Sequence, residues 1–219
     1  MSAVLDALLR AKVLSVIRDA SSDSIVSVAE ALVSGGIYCL EVTLDSASEK
    51  NAEDALKSVA ILNREFGDSI TLGAGTVLTT ENVRKAAQAG ATYIVSPDAN
   101  EAVIKETKRL GLVSLPGAMT PTEIMSAWEW GADVVKLFPA SFLGLDYIKA
   151  IKAPIRHVPL FAVGGVNQHN ACDFLDAGCA GIGAGSNLVN KKLIDSKDYA
   201  TIRAIAVEYA AAIEKWSAK

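Results

Sequence analysis

A lysine inside an apolar run is the residue of this chain whose type and position could most readily do chemistry. Lys136 lies in Asp133-Val134-Val135-Lys136-Leu137-Phe138-Pro139. Lysine is almost never fully buried unless it is paired. An ammonium held in a dry pocket has its pKa pushed down, and the free amine that results can attack a ketone to form a Schiff base. Read alone, the run favours a plainer outcome: a strand-end lysine that reaches water or pairs with Asp133. The rest of the chain reverses that preference. Leu40-Glu41-Val42-Thr43-Leu44-Asp45 carries a second ionisable residue in an apolar stretch. A buried carboxyl has a raised pKa and can move protons near neutrality. The alternative is a structural carboxylate bonded to Lys136 or to a backbone donor. Both readings place Glu41 inside, and we favour the functional one.

Around these two lie weaker signals. In Gly73-Ala74-Gly75-Thr76 the glycines let backbone approach a ligand, and the Thr76 hydroxyl can donate to a carboxylate. A tight turn explains the same residues equally well. Ser96-Pro97-Asp98 and Pro116-Gly117-Ala118 read as loop punctuation. Arg18 is compatible with an anion contact, although a surface arginine is the commoner case. Gly164-Gly165 and Gly183-Ala184-Gly185-Ser186 offer backbone N–H groups to a phosphate. His157 and His169 sit in polar loops and are expected to be exposed. Trp128 and Trp130 read as packing residues, and Trp216 lies near a frayed end.

The elements that must position these residues alternate. Short apolar, β-branched runs occur at Val13–Arg18, Tyr38–Thr43, Ser69–Ala74, Tyr93–Ser96, Leu112–Leu115, Val134–Phe138, Val158–Val163 and Gly181–Gly183. Between them lie amphipathic stretches at Ser24–Ser34, Asn51–Phe66, Thr80–Ala89, Glu101–Leu110, Pro121–Trp130, Leu145–Ile151 and Asn170–Asp176, with a longer helix from Asp198 to Lys215. An extra helix, Val4–Lys12, precedes the first strand. Asp23, Thr80, Asn100, Thr120 and Asn170 read as N-caps, and Thr120 with Glu123 as a capping box. Glycine follows most of the helices, as expected for left-handed C-terminal positions. Eight βα units without a linker predict one (β/α)₈ TIM barrel over residues 1–219, with an extra N-terminal helix. An open doubly wound sheet is the alternative, weakened by the absence of a dinucleotide fingerprint. In a TIM barrel the active site forms at the C-terminal ends of the strands, and the loops after the seventh and eighth strands often hold phosphate. The two Gly-rich segments occupy those two places.

The totals restrict the partners. The formal charge of −4 and the absence of a basic block argue against nucleic acid and anionic membrane. Cys39, Cys172 and Cys179 lack metal spacing and fit a reducing compartment, and the two histidines exclude a histidine-rich metal site. Neither a signal peptide nor a membrane span is expected, so a cytoplasmic location is.

Glu41-Val42-Thr43-Leu44, Gly73-Ala74-Gly75-Thr76-Val77-Leu78, Ser96-Pro97, Lys136-Leu137-Phe138-Pro139-Ala140 and Ala162-Val163-Gly164-Gly165-Val166 together resemble the 2-keto-3-deoxy-6-phosphogluconate / 4-hydroxy-2-oxoglutarate aldolase family. Order and spacing match over nearly the whole chain. The resemblance implies a class I aldolase on a (β/α)₈ barrel, a homotrimer that needs no metal or cofactor. It would cleave a 2-keto-3-deoxy-6-phospho sugar acid of the phosphogluconate, Entner-Doudoroff type to pyruvate and glyceraldehyde 3-phosphate. By the same resemblance Lys136 forms the Schiff base and Glu41 shuttles protons. Thr76 and Pro97 line the pyruvate end, Phe138 packs beside the imine, and Gly164, Gly165, Gly185 and Ser186 hold phosphate. Two positions depart from the pattern. Asp45 stands where well-known members carry arginine, and an aspartate cannot inherit a carboxylate contact. Arg18 is the expected replacement. Val163 stands where many members have threonine. Both departures, with Gly178-Cys179-Ala180-Gly181, are similar to the 2-keto-3-deoxy-6-phosphogalactonate branch, so the C4 epimer stays open. A phosphosugar isomerase or synthase barrel and a non-catalytic sensor of sugar acid phosphates are the rival readings.

Overall fold

The computed structural model describes residues 2–45 and 48–218. Helix α1 (Ala3–Ala11) leads into strand β1 (Val13–Ile17) through Lys12, which takes a left-handed conformation at φ 56°. Strand and helix then alternate: α2 (Ile25–Ser34), β2 (Cys39–Thr43), α3 (Glu49–Phe66), β3 (Thr71–Gly75), α4 (Thr80–Ala89), β4 (Tyr93–Val95), α5 (Glu101–Arg109) and β5 (Val113–Leu115). After β6 (Gly117–Ala118) come α6 (Pro121–Glu129), β7 (Val135–Leu137), α7 (Ala140–Lys152), β8 (Leu160–Val163), α8 (Ala171–Asp176), β9 (Gly181–Ala184), α9 (Lys191–Asp195) and α10 (Tyr199–Ser217).

All neighbouring strands are parallel, in the order β5-β4-β3-β2-β1-β9-β8-β7-β6. The two outer members, β5 and β6, are halves of one strand divided by Pro116, which lacks the N–H that a ladder needs. One half pairs with β4 and the other with β7. The sheet therefore closes on itself, and the expected eight-stranded barrel with its extra N-terminal helix is what forms. Gly117-Ala118 is strand, where the sequence suggested punctuation. Gly117 is needed there because a Cβ would overlap the Pro97 carbonyl.

The apolar side chains separate into two bodies. Between strands and helices lies a continuous outer core. Inside the barrel a second cluster includes Leu14, Val16, Tyr93, Val95, Leu115 and Phe161. Leu5 and Leu8 of α1 belong to this inner cluster, so α1 seals the N-terminal end. Interior volume is filled by alternating large and small residues: the Tyr93 ring occupies the side-chain space of Gly73, and the Phe161 ring that of Gly181.

Local signals explain the helix ends. Asn100 caps α5 through bonds from Ala102 N and Val103 N, and Thr120 and Glu123 form the reciprocal box on α6. The cap of α4 is Thr79, one residue before the expected Thr80. Ser24 takes the cap position of α2 in place of Asp23, and Asn170 turns its oxygen to Asn167 N instead of to α8. Gly36, Gly90, Gly111, Gly131 and Gly178 all have left-handed φ. Residues Gly67–Ser69 form a short 3₁₀ turn, which delays β3 to Thr71. Trp216 is ordered within α10: its Nε1 donates to Asp176 at 2.7 Å and Lys12 lies over its ring.

Candidate active site

Lys136 sits in the middle of β7 and is 7% exposed; Glu41 sits in the middle of β2 and is 2% exposed. Both belong to the strand positions that face inward. Burial pushes the Lys136 ammonium below its ordinary pKa, although the nearby Glu41 carboxylate opposes this. Burial likewise pushes the Glu41 carboxyl up, against the pull of Lys136 and Arg18. The two groups are electrostatically coupled, and Glu41 Oε2 is buried and takes no hydrogen bond. Asp133, the other conceivable partner of Lys136, is engaged elsewhere. It pairs with Lys108 at 2.5 Å and accepts from Ser114 N at 2.8 Å.

Two glycines make room for this arrangement. A Cβ at Gly75 would overlap Glu41 Oε1, so the carboxyl lies across β3 where a side chain is missing. On the opposite wall the Phe138 ring lies 4.7 Å from Lys136 Nζ, measured to its centroid, and packs against the position a Gly164 side chain would fill. The aromatic face favours a cation. Gly164 and Gly165 have φ of 95° and 77°, conformations that side-chain-bearing residues resist.

A cavity of about 470 Å³ opens onto Lys136. Arg18, Phe138, Val163, Gly164, Gly165, Gly185 and Ser186 line it, so most of the expected binding residues are brought together. Asn187, Asn190 and Lys191 also line it and carried no signal in the sequence; α9, which ends this wall, was not expected either. The carbonyl of Gly164 accepts from Ser141 N, that of Gly165 from Asn170 Nδ2, and that of Gly185 from Leu188 N and Val189 N. With those oxygens engaged inside the protein, the loops are suited to present N–H groups to an anion.

A second cavity, of about 410 Å³, shares Arg18, Asp19 and Lys191 with the first. Thr76 and Asp45 line this one. Asp45 Oδ2 accepts from Asn51 Nδ2 at 2.8 Å. Asp19 and Thr76 hold left-handed φ of 62° and 56° at the ends of β1 and β3. Such strain in residues other than glycine gathers at functional sites. Pro97 lines neither cavity; it is half-buried against Gly117. His157 and His169 are exposed, as expected. Among the described residues no helix is long and apolar enough to cross a membrane.

The family model described as KDPG and KHG aldolase matches residues 4–205. A 2-dehydro-3-deoxy-6-phosphogalactonate aldolase of Escherichia coli K12 is 36% identical over 80% of this chain and 83% of its own length. A 2-dehydro-3-deoxy-phosphogluconate aldolase of Treponema pallidum is 33% identical over 94% of this chain and 95% of its own. The crystal structure of a KDPG aldolase from Legionella pneumophila, with pyruvate captured as a covalent carbinolamine, superposes with a TM-score of 0.84 at 27% identity, covering 94% of this chain and 97% of that one.

Proposed function

This chain belongs to the KDPG and KHG aldolase family, and from that membership we propose that it cleaves a 2-keto-3-deoxy-6-phospho sugar acid of the phosphogluconate type to pyruvate and glyceraldehyde 3-phosphate through an imine on Lys136. The observation that carries this reading is two buried, electrostatically coupled groups shifted in opposite directions: Lys136, which lines the cavity of the glycine loops, and Glu41, which lies on the same inward face of the barrel outside that lining.

Desolvation leaves part of Lys136 as free amine. Its nitrogen attacks the C2 ketone as Glu41 protonates the oxygen; the Glu41 carboxylate then takes the proton that the nitrogen sheds and gives it to the C2 hydroxyl, which departs as water. The protonated imine draws electrons from the C3–C4 bond as the C4 hydroxyl gives up its proton to the Glu41 carboxylate. The aldehyde leaves, and Glu41 returns a proton to C3 of the enamine. Hydrolysis then releases pyruvate and restores the amine. Phe138 shields the imine. Arg18, in a wall common to both cavities, takes the carboxylate or phosphate contact that Asp45 cannot make. The N–H groups of Gly164, Gly165, Gly185 and Ser186 hold the phosphate, while Thr76, in the wall of the smaller cavity, and Pro97, which lines neither, take no part in holding the pyruvate end at Lys136. The same reading includes a homotrimer acting in the cytoplasm.

The charges favour the larger cavity for an anionic substrate. Among the lining residues there, Arg18, Lys136 and Lys191 are opposed by Asp19, with the Glu41 carboxyl acting on Lys136 and Arg18 from outside the lining, whereas in the smaller cavity Arg18 and Lys191 face Asp19, Asp45 and Asp54. A second reading, the galactonate epimer, is favoured by Val163 in the cavity wall and by the E. coli relative. The test is pyruvate release from both phosphorylated epimers and from 4-hydroxy-2-oxoglutarate, together with borohydride trapping of pyruvate. Release from the gluconate epimer and a mass increase on the Lys136 peptide are expected. Absence of the adduct would remove the imine mechanism, and release from the galactonate epimer alone would select the second reading.

A further inference from the structure

Beside Lys136 and Glu41, the described residues include two more titratable side chains buried on the inner face of the barrel without a task in this chemistry, Cys39 and Tyr93. Tyr93 of β4 has no exposed surface, and its Oη makes no hydrogen bond. Buried phenols ordinarily find a partner, since an unpaired hydroxyl costs free energy. Strand register aligns Glu41 of β2 with Gly73 of β3, and Gly73 with Tyr93 of β4. The three form a row across the interior with glycine at its centre. The Tyr93 ring fills the space of the missing Gly73 side chain, with Cε2, Cδ2 and Cζ nearest, so the phenol leans over β3 toward β2. The Glu41 carboxyl leans over the same strand from the other side, at Gly75. Inward positions two residues apart on a strand are separated by about 7 Å. That gap lies within reach of a hydroxyl and a carboxyl that both extend over it, and Glu41 Oε2 is likewise buried and unpartnered.

We propose that Tyr93 is a positioning residue for Glu41: its phenol O–H, which makes no direct bond to the carboxylate, donates toward it across one water and holds that group ionised above Gly75. The proposal rests on the reading of Glu41 as the proton carrier. The other groups that act on this pair are Lys136 on β7, Arg18 at the end of β1 and Cys39 on β2. The Cys39 thiol, pushed up to about 11 by burial, stays neutral over the working range. Lys136 and Arg18 remain in a Tyr93 variant, so their effects cancel in a comparison with the parent protein. A donated hydrogen bond stabilises the ionised carboxylate, so its loss moves the Glu41 titration upward.

The experiment is deuterium exchange into the methyl group of pyruvate, followed by NMR against pH. Exchange requires imine formation and proton transfer at C3, and no aldehyde. In Tyr93→Phe the acid limb of the exchange profile should move up by about one pH unit, which is about tenfold slower exchange on that limb. Borohydride trapping well above the limb should be unchanged. An unmoved limb together with a higher melting temperature overturns the proposal, because the hydroxyl would then be only an unpaired burden. Should Tyr93→Phe not fold, 3-fluorotyrosine placed at position 93 alone keeps ring and hydroxyl. Its more acidic donor should move the limb down, and an unmoved limb overturns the proposal equally. If the parent protein itself exchanges nothing, the imine reading falls and the Tyr93 role with it, a result distinct from an unshifted variant.

Discussion

Burial makes opposite demands on the two ionisable side chains at the barrel mouth, and the consequences for stability have opposite signs. Glu41, raised by desolvation, keeps its proton in the folded chain to a higher pH than in the unfolded chain. Its contribution to stability is complete below the ordinary carboxylate value and is lost as pH rises through the raised one. Lys136, lowered by desolvation, sheds its proton earlier in the folded chain, so stability climbs with pH between the lowered value and the ordinary one. Glu41→Gln removes the first effect. Calorimetry should find it more thermostable than the parent at about pH 8 and matched to it below about pH 4, with a gain of about 2–4 °C for each kcal/mol recovered. Pyruvate methyl exchange should fall by about 10²–10⁴-fold in the same variant. A loss of stability at alkaline pH would mean that attraction to Lys136 outweighs desolvation. Gly75→Ala tests the neighbouring geometry. Its Cβ would overlap Glu41 Oε1 and displace the carboxyl, at a cost of about 10²-fold in turnover. Turnover near the parent's would show that the carboxyl has another place to go. Lys136 and Glu41 were legible in the sequence because each breaks an apolar run. The dependence of Glu41 on Gly75 was not, since it arises from strand register between segments some thirty residues apart.

At the level of elements, the barrel is closed at one end by a helix and opened at the other by loops. Leu8 of α1 is fully buried in the inner cluster with Leu14, Val16 and Phe161. Leu8→Ala should destabilise by about 2–5 kcal/mol, read by urea unfolding, while the pH profile of pyruvate exchange stays that of the parent. A shifted profile would show that the plug also shapes the site. The strand and helix pattern was visible because parallel strands buried on both faces read as continuous apolar runs, with glycine marking the helix ends. What escaped was short or shared. Gly117-Ala118 is two residues of strand behind a proline, and α9 is a single turn whose Lys191 reaches the cavity only through the fold. In α7, Gly144 at φ 74° and ψ 166° breaks the helix, so periodicity revealed only the part that follows.

The molecule as a whole carries a formal charge of −4 and should repel an anionic substrate at long range. Binding therefore depends on a local reversal of sign, and closure of the sheet supplies it by gathering Arg18, Lys136 and Lys191 around one cavity. These cations are not equivalent. Lys191 is 2.9 Å from Asp195, and burial lowers the pKa of Lys136. Arg18 forms no ion pair with any described residue, is exposed, and stands in the wall common to both cavities. It should therefore carry most of the attraction. Screening shortens from about 30 Å at 0.01 M salt to about 3 Å at 1 M, so kcat/KM for a phosphorylated keto acid should fall steeply over that range. In Arg18→Ala the KM should be higher by about tenfold, the loss of roughly one charge-assisted contact, and the salt dependence should flatten. Trapping of pyruvate on Lys136 at saturating concentration should survive, because the amine remains in place. Equal salt slopes in the two proteins would move the anion contact to the backbone of the glycine loops.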